Sequence, residues 1–429
     1  MYNQIEESFE EVNLIMLKKF IEFTKSIIST SEFMEKFRKS KKDFTRNRKV
    51  SFVMNILLIF ACLKRSVQTG IDQFLIDMDT EFDTYSKQAF SKGRQRILPE
   101  AFKELHRIST EFFYKEADYK TYCGYRILAV DGSKIDLPYN KELMEIYGCQ
   151  KSTNNLIQSL TSCLTDVLNN VVLDGIMAPC NGNERELAKQ HILNLSKIKT
   201  DKDIILFDRG YPSAELMQYI EQSGFKYIMR CSTSFLAGMK KEYKNDGIIK
   251  HKFKKNNIEL TFRVLQFPIS CTTTEILVTN ILEEFTINDF KKLYNMRWGI
   301  EKTYNCIKNK FCLESFSGTK PVCILQDFYA NLYLYNALAM LMYENNKKLA
   351  EKNDTETKYT YKTNENQAVN KIRETFIKAV MCESKIKSNK LFAKVYKQLQ
   401  KELIPVRPNR IYNRKSKHPG VKFSQNQKS

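Results

Sequence analysis

Apolar positions recur at helical spacing through Leu14, Leu17, Phe20 and Ile21, and again through Ile56, Ile59, Phe60 and Leu63. This 3.6-residue period predicts an almost wholly helical region over residues 1–120. From residue 121 the pattern shortens. Arg126–Val130 is a short apolar run ending in Asp131-Gly132-Ser133. Leu156–Thr165 and Val171–Ala178 read as strands joined by a turn at Leu168-Asn169-Asn170. Glu184–Ile198 reads as an amphipathic helix, and Asp203–Phe207 as a strand ending in Asp208-Arg209-Gly210. A helix from Pro212 to about Gln222 and a strand over Lys226–Cys231 follow. Over 232–285, apolar and polar positions alternate, which predicts antiparallel strands. Helix resumes at Thr286, where Asp289 completes a capping-box pattern, and runs to about Phe311. A second long helix covers about Val322–Tyr343. The polar stretch after it reads as a loop, and shorter helices follow at about 367–381 and 388–402. Ala368, Ile372, Phe376, Ile377 and Val380 form an apolar stripe that needs a partner, either a second copy or the chain's own core.

This order divides the chain into a helical region 1–120, a mixed α/β region 121–345 with a β-rich insertion at about 232–285, and a C-terminal region 346–429. The runs Met54–Leu63 and Phe328–Tyr343 are too short or too interrupted, the latter by Asn331 and Asn336, to span a bilayer. The first residues lack a signal-peptide core. Eleven scattered cysteines without a CxxC pair read as reduced thiols of a cytosolic protein.

Charge changes the picture. There are 69 Lys plus Arg against 49 Asp plus Glu, a net charge of +20, which predicts a polyanionic partner such as nucleic acid. Residues 36–49 hold eight basic residues and one acidic. Ser86 then caps a helix to about Leu98 that sets Lys87, Gln88, Lys92 and Arg94 outward. That face is either a solvated basic surface or a DNA-reading one. The tail 403–429 holds seven Lys or Arg and no acid, with three prolines, and reads as an extended basic arm.

Three carboxylates carry candidate chemistry. Asp131 and Asp208 end strands separated by a helical crossover, so one sheet can bring them side by side. Glu301 lies on the helix after the strand-rich segment. Two Asp and one Glu without His or Cys make a hard oxygen site suited to two Mg²⁺ ions, with Mn²⁺ as substitute. Ions about 3.5–4 Å apart activate a water or hydroxyl and stabilise a leaving phosphodiester oxygen. The helix itself reads Tyr294, Arg297, Glu301, Lys308, at offsets 0, 3, 7 and 14. At 100° per residue these share one face. The stripe is either a solvated ion-pair row or a phosphate-facing one, with Arg297 and Lys308 on DNA and Glu301 toward metal. Trp298, the single Trp, and Phe253, Phe262 and Phe267 are candidates to stack on a base, with core packing the commoner role. Asp136 reads as a local turn or salt-bridge residue and Asp174 as solvent-facing. His106, His191, His251 and His418 are taken as surface or packing residues.

The spacing Tyr-x2-Arg-x3-Glu-x6-Lys resembles the signature of the insertion-sequence-four family of bacterial DDE transposases. The blocks ILAVDGSKIDLP, ILFDRGYPS and LVTNI followed by LYNMRWGIE resemble those around that family's three acids, over about residues 85–345. The resemblance implies a ribonuclease-H-like core with a β-rich insertion between the second Asp and the Glu. It implies Mg²⁺-dependent cutting at terminal inverted repeats and strand transfer by the freed 3′ hydroxyl. Asp131, Asp208 and Glu301 would hold two metals, and Tyr294, Arg297 and Lys308 would position phosphates. Double-stranded DNA is the implied partner, with a homodimer in the paired-end complex and the C-terminal helices as candidate dimer contacts. The implied location is the bacterial cytoplasm, at the nucleoid. A nuclease on the same core, or a non-catalytic DNA-binding descendant, are the alternatives.

Overall fold

Six helices open the described chain: α1 (Ile15–Ile28), α2 (Ser31–Phe37), α3 (Phe52–Cys62), α4 (Val67–Met78), α5 (Lys87–Arg94) and α6 (Glu100–Glu116). The computed structural model describes residues 15–406 apart from 47–48, 64–65, 79–83, 151–155, 198–201, 237–244, 271–272, 354–359 and 383. Ser51 caps α3 by accepting from the Met54 N–H. This helix is apolar all round, and it is buried from Phe52 to Cys62 except at three positions, as befits an element enclosed by others.

The central sheet has nine strands among the described residues: β1 (Arg126–Asp136), β2 (Cys149–Gln150), β3 (Leu156–Asp166), β4 (Val171–Pro179), β5 (Asp203–Phe207), β6 (Lys226–Arg230), β7 (Asp246–Phe253), β8 (Ile258–Ser270) and β9 (Thr273–Thr279). Their order is β2-β3-β1-β5-β6-β9-β8-β7, with β4 on β3. β1, β5 and β6 are parallel, and the other pairings are antiparallel. The crossovers are α8 (Glu184–Leu195) and α9 (Ala214–Gln222). The short α7 (Lys141–Tyr147) precedes β2. The turn between β3 and β4 places Asn170 at φ 55°, a left-handed conformation that Asn tolerates. The strands read as an insertion, β7–β9, continue the central sheet through the β6–β9 pairing.

Beyond the sheet come α10 (Ile287–Met296), α11 (Trp298–Asn305), α12 (Pro321–Asn353), α13 (Glu365–Met381) and α14 (Lys385–Lys401). α12, about 50 Å long at 1.5 Å per residue, runs through the core. Its Asn336, which disfavoured a membrane reading, serves the edge strand β4. The side-chain carbonyl accepts from Val172 N at 2.9 Å, and the amide donates to Val172 O at 3.0 Å. No helix among the described residues is long and apolar enough to cross a membrane.

The N-terminal helices do not enclose a core of their own. Phe60 of α3 packs on Tyr333 of α12 (5.4 Å between centroids) and on Phe376 of α13 (5.3 Å). One apolar cluster runs from Met16 to Leu399. The α13 stripe of Ala368, Ile372, Phe376, Ile377 and Val380 is buried within it. Its partner is the chain's own core, so it offers no dimer face. The polar stretch after α12 is not simply a loop: α12 reaches Asn353, and β10 (Tyr361–Thr363) pairs with β11 (Leu403–Pro405). The rest of the basic arm, 407–429, lies outside the described residues, as does His418.

Candidate active site

The parallel pair β1–β5 sets the site's level. At its start, Arg126 grips Asp203 with two bonds, Nε–Oδ1 2.6 Å and Nη2–Oδ2 2.7 Å, both side chains buried. A bidentate pair of this kind fixes register. Ala129 lies opposite Leu206, so Asp131 and Asp208, each two residues further on, stand level at adjoining strand positions. Each Asp carboxylate accepts a local backbone N–H: Gly132 N at 2.9 Å for Asp131, Arg209 N at 2.7 Å for Asp208. Burial pushes the Asp131 carboxyl up to about 6. The Gly132 N–H and the Arg297 charge oppose that rise, and the negative charges of Asp208 and Glu184 add to it.

The capping box at Thr286 and Asp289 forms as its sequence predicts. The single helix expected from Thr286 to Phe311 is instead broken. α10 ends at Met296, α11 starts at Trp298, and a π-helical turn, Cys306–Lys310, follows. The break turns the Tyr-Arg-Glu-Lys stripe. Tyr294 and Arg297 are buried, Glu301 is exposed, and Lys308 lies at the surface with its ammonium donating to the Lys134 carbonyl of β1. A straight solvent-facing row, with Arg297 on phosphate, is therefore not what forms. The Arg297 guanidinium points inward, Nη2 at 3.1 Å from Glu301 Oε1 and Nη1 at 3.9 Å from Asp131 Oδ2. It also lies over the half-exposed Trp298 ring at 5.2 Å.

Two further contacts seat α11 on the sheet. The Tyr304 hydroxyl lies 2.9 Å from the carbonyls of both Asp131 and Thr161. A Cβ on Gly299 would meet Val167 Cβ at 2.8 Å, so the helix approaches the β3–β4 turn as closely as only glycine permits. Asp131, Asp208, Arg297 and Glu301 thus form one cluster. The donors are all carboxylate oxygens, the set that hard divalent ions prefer. Among the described residues no three His, Cys, Asp or Glu side chains converge tightly enough to grip an ion as they stand; a guanidinium lies between Asp131 and Glu301. A cation already sits among these acids, and the donor chemistry fits Mg²⁺.

Of the basic helix face, Lys87, Gln88 and Lys92 are exposed on α5 as expected. Lys92 joins Arg46, Lys49, Tyr85 and Arg96 around a cleft of about 920 Å³. Arg94 is not outward. It is buried and paired to Asp327, Nη2–Oδ1 2.7 Å, because an acid of α12 lies directly beneath it. Gln326 and Ser317 accept its remaining bonds at 2.9 and 2.7 Å.

Two acids were misjudged from the pattern. Asp174, expected to face solvent, accepts from buried His191 Nδ1 at 2.8 Å and from Asn194 at 2.9 Å. These bonds hold its carboxyl down at about 2 against the opposing effect of burial. Glu184 was not singled out at all. Its carboxylate stands over Gly132 and Gly210, the glycines that follow the two aspartates. Those two glycines were the available signal. Phe262 and Phe267 are core residues, and Phe253 stacks on Phe262 at 6.3 Å.

Residues 122–337, just over half of the chain, match the family model described as a transposase DDE domain. The chain is 22% identical over 273 residues to the transposase InsG for insertion sequence element IS4 of Escherichia coli (strain K12). That match covers 59% of this chain and 60% of the relative, less than two thirds of its length. Among solved structures it resembles the piggyBac transposase in a synaptic complex with hairpin DNA, with a TM-score of 0.46 and 12% identity, covering 89% of this chain and 84% of that one.

Proposed function

The chain belongs to the transposase DDE-domain family, and from that premise we propose that it is the transposase of a bacterial insertion sequence, of the insertion-sequence-four type, built on a ribonuclease-H-like core. It binds the terminal inverted repeats of its element, cleaves phosphodiester bonds at the ends and joins the freed 3′ hydroxyl to target DNA. Asp131, Asp208 and Glu301 are the catalytic acids. The observation that carries this reading is the level placement of the two aspartates at adjoining parallel strands with Glu301 tied to them through Arg297.

Asp131, Asp208 and Glu301 would hold two Mg²⁺ ions, or Mn²⁺ in their place. Such ions supply activation of the attacking hydroxyl and stabilisation of the leaving oxygen. Arg297 keeps α11 and β1 in register by bridging Glu301 and Asp131, and Tyr294 backs its guanidinium from the core side. The Arg126–Asp203 pair holds the two strands level. Lys308 and Trp298 lie at the surface beside these acids and suit contact with DNA, while Lys87, Gln88 and Lys92 supply contacts on the helical face. Joining two ends with one site per end requires two protomers, so the working complex is a homodimer on DNA. Its setting is the bacterial cytoplasm, at the nucleoid.

The test is Asp208→Asn in the full chain. Nicking of DNA carrying the element's ends in Mg²⁺ is expected to disappear, while gel-shift affinity for the same DNA stays at the wild-type value. Unchanged nicking would refute the assignment. Strand transfer from pre-cut ends by the wild type separates a transposase from a nuclease that only cuts.

A further inference from the structure

Glu184 opens α8, with Asn183 as its cap accepting from Arg185 N. A first-turn acid commonly does no more than face the helix dipole. Glu186, one residue pair on, plays that part: it is exposed and pairs with Lys189 at 2.9 Å. Glu184 is placed differently. Its Oε1 would lie 2.7 Å from a Cβ on Gly132, and its Oε2 would lie 3.9 Å from a Cβ on Gly210. The carboxylate therefore rests on bare backbone beside both aspartates, in space that any other residue at 132 would fill.

The surroundings do not neutralise it locally. The neighbouring Arg185 turns away and donates to the Gly210 carbonyl at 3.2 and 3.0 Å, fixing the loop after Asp208 instead. Arg297 pairs with Asp131 and Glu301. A second group points into the same space. Tyr211, three residues after Asp208, is buried, and its hydroxyl makes no hydrogen bond of full geometry. The acids whose charges it feels are Glu184 first, then Asp131 and Asp208. A buried hydroxyl aimed at converging carboxylates marks a polar pocket that a ligand completes.

We infer that Glu184 is a fourth carboxylate of the metal site, binding a divalent ion together with Asp131 and Asp208 on the side opposite Glu301. This rests on the metal-site reading given above. Oxygen-rich sites for Mg²⁺ and Mn²⁺ gain affinity with each anionic ligand. Gly132 then has a function: it admits the Glu184 carboxylate to the first aspartate.

The experiment is calorimetric titration of Mn²⁺ into the full-length wild type, Glu184→Gln, Gly132→Ala and Asp208→Asn, with melting temperatures in metal-free buffer alongside. Glu184→Gln is expected to weaken Mn²⁺ binding at least about tenfold, since even supporting groups at metal sites are worth that much, while melting as the wild type does. Gly132→Ala keeps every charge but displaces the carboxylate, and the same loss is expected. It decides the matter if Glu184→Gln folds poorly. If Asp208→Asn loses Mn²⁺ binding while Glu184→Gln or a folded Gly132→Ala binds as tightly as the wild type, the inference is overturned and the three-acid reading stands. If Asp208→Asn itself binds like the wild type, the metal-site reading fails and this inference with it.

Discussion

Replacing Arg94 by Met separates a structural arginine from a DNA-binding one. Both members of the Arg94–Asp327 pair are 1% exposed, so removing the guanidinium leaves a carboxylate in the interior. Breaking such a pair costs about 3–5 kcal/mol. Ser317 still donates to Asp327 through its N–H at 2.7 Å, which places the expected loss toward the lower end. Against that, Gln326 Oε1 and the Cys323 carbonyl lose their donors. An unfolding entropy of about 2.1 cal/mol/K per residue, over a chain of this length, converts the loss into a melting shift of roughly 3–6 °C. Calorimetry gives the shift, and a gel shift on the same protein gives DNA affinity. The Arg94→Met, Asp327→Leu double variant removes the orphaned charge and should recover much of the loss. A melting temperature within about one degree of wild type, together with weakened DNA binding, would refute the buried-pair reasoning and return Arg94 to the DNA face.

Glu344 of α12 supplies a pH test. Burial lifts its carboxyl to about 7, and one of its oxygens, Oε2, has no hydrogen-bond partner. The folded state therefore holds this proton more tightly than the unfolded one. The associated stability is present below about pH 4.5 and is lost as pH rises through 7. Glu344→Gln should match the wild type near pH 5 and exceed it by about 2–3 kcal/mol at pH 8; an equal difference at both pH values would contradict this. Gly299→Ala should cost about 1–3 kcal/mol by overpacking against Val167 and reduce nicking, although residue 299 touches none of the acids. Wild-type melting and nicking would show that the close approach is not required. Lys87→Ala with Lys92→Ala should lower the slope of log affinity against log salt by roughly two if both meet phosphate, and an unchanged slope would leave that face merely solvated.

Much of this protein was determined locally. Strand ends at Asp131 and Asp208, the capping box at Thr286 and the antiparallel texture of 232–285 each follow from periodicity and turn chemistry within a few residues. Local sequence dictates such features because their hydrogen bonds close over short spans. The tertiary structure alone decided which polar groups turn inward. α5 is polar on nearly every face, and nothing within it says that Arg94 is buried while Lys92 is exposed. The choice depends on Asp327, 233 residues away in sequence. Asp174 sits in a strand whose alternation reads as solvated, but His191 on α8 covers it. The partner of the α13 stripe is likewise a matter of packing: an amphipathic helix shows that a face must be buried, not against what. The same limit governed the acids. Their types and order were legible along the chain. Their level came from the distant Arg126–Asp203 pair and Glu301's approach from a broken helix, and Glu184 came into view only because two glycines left room above the sheet.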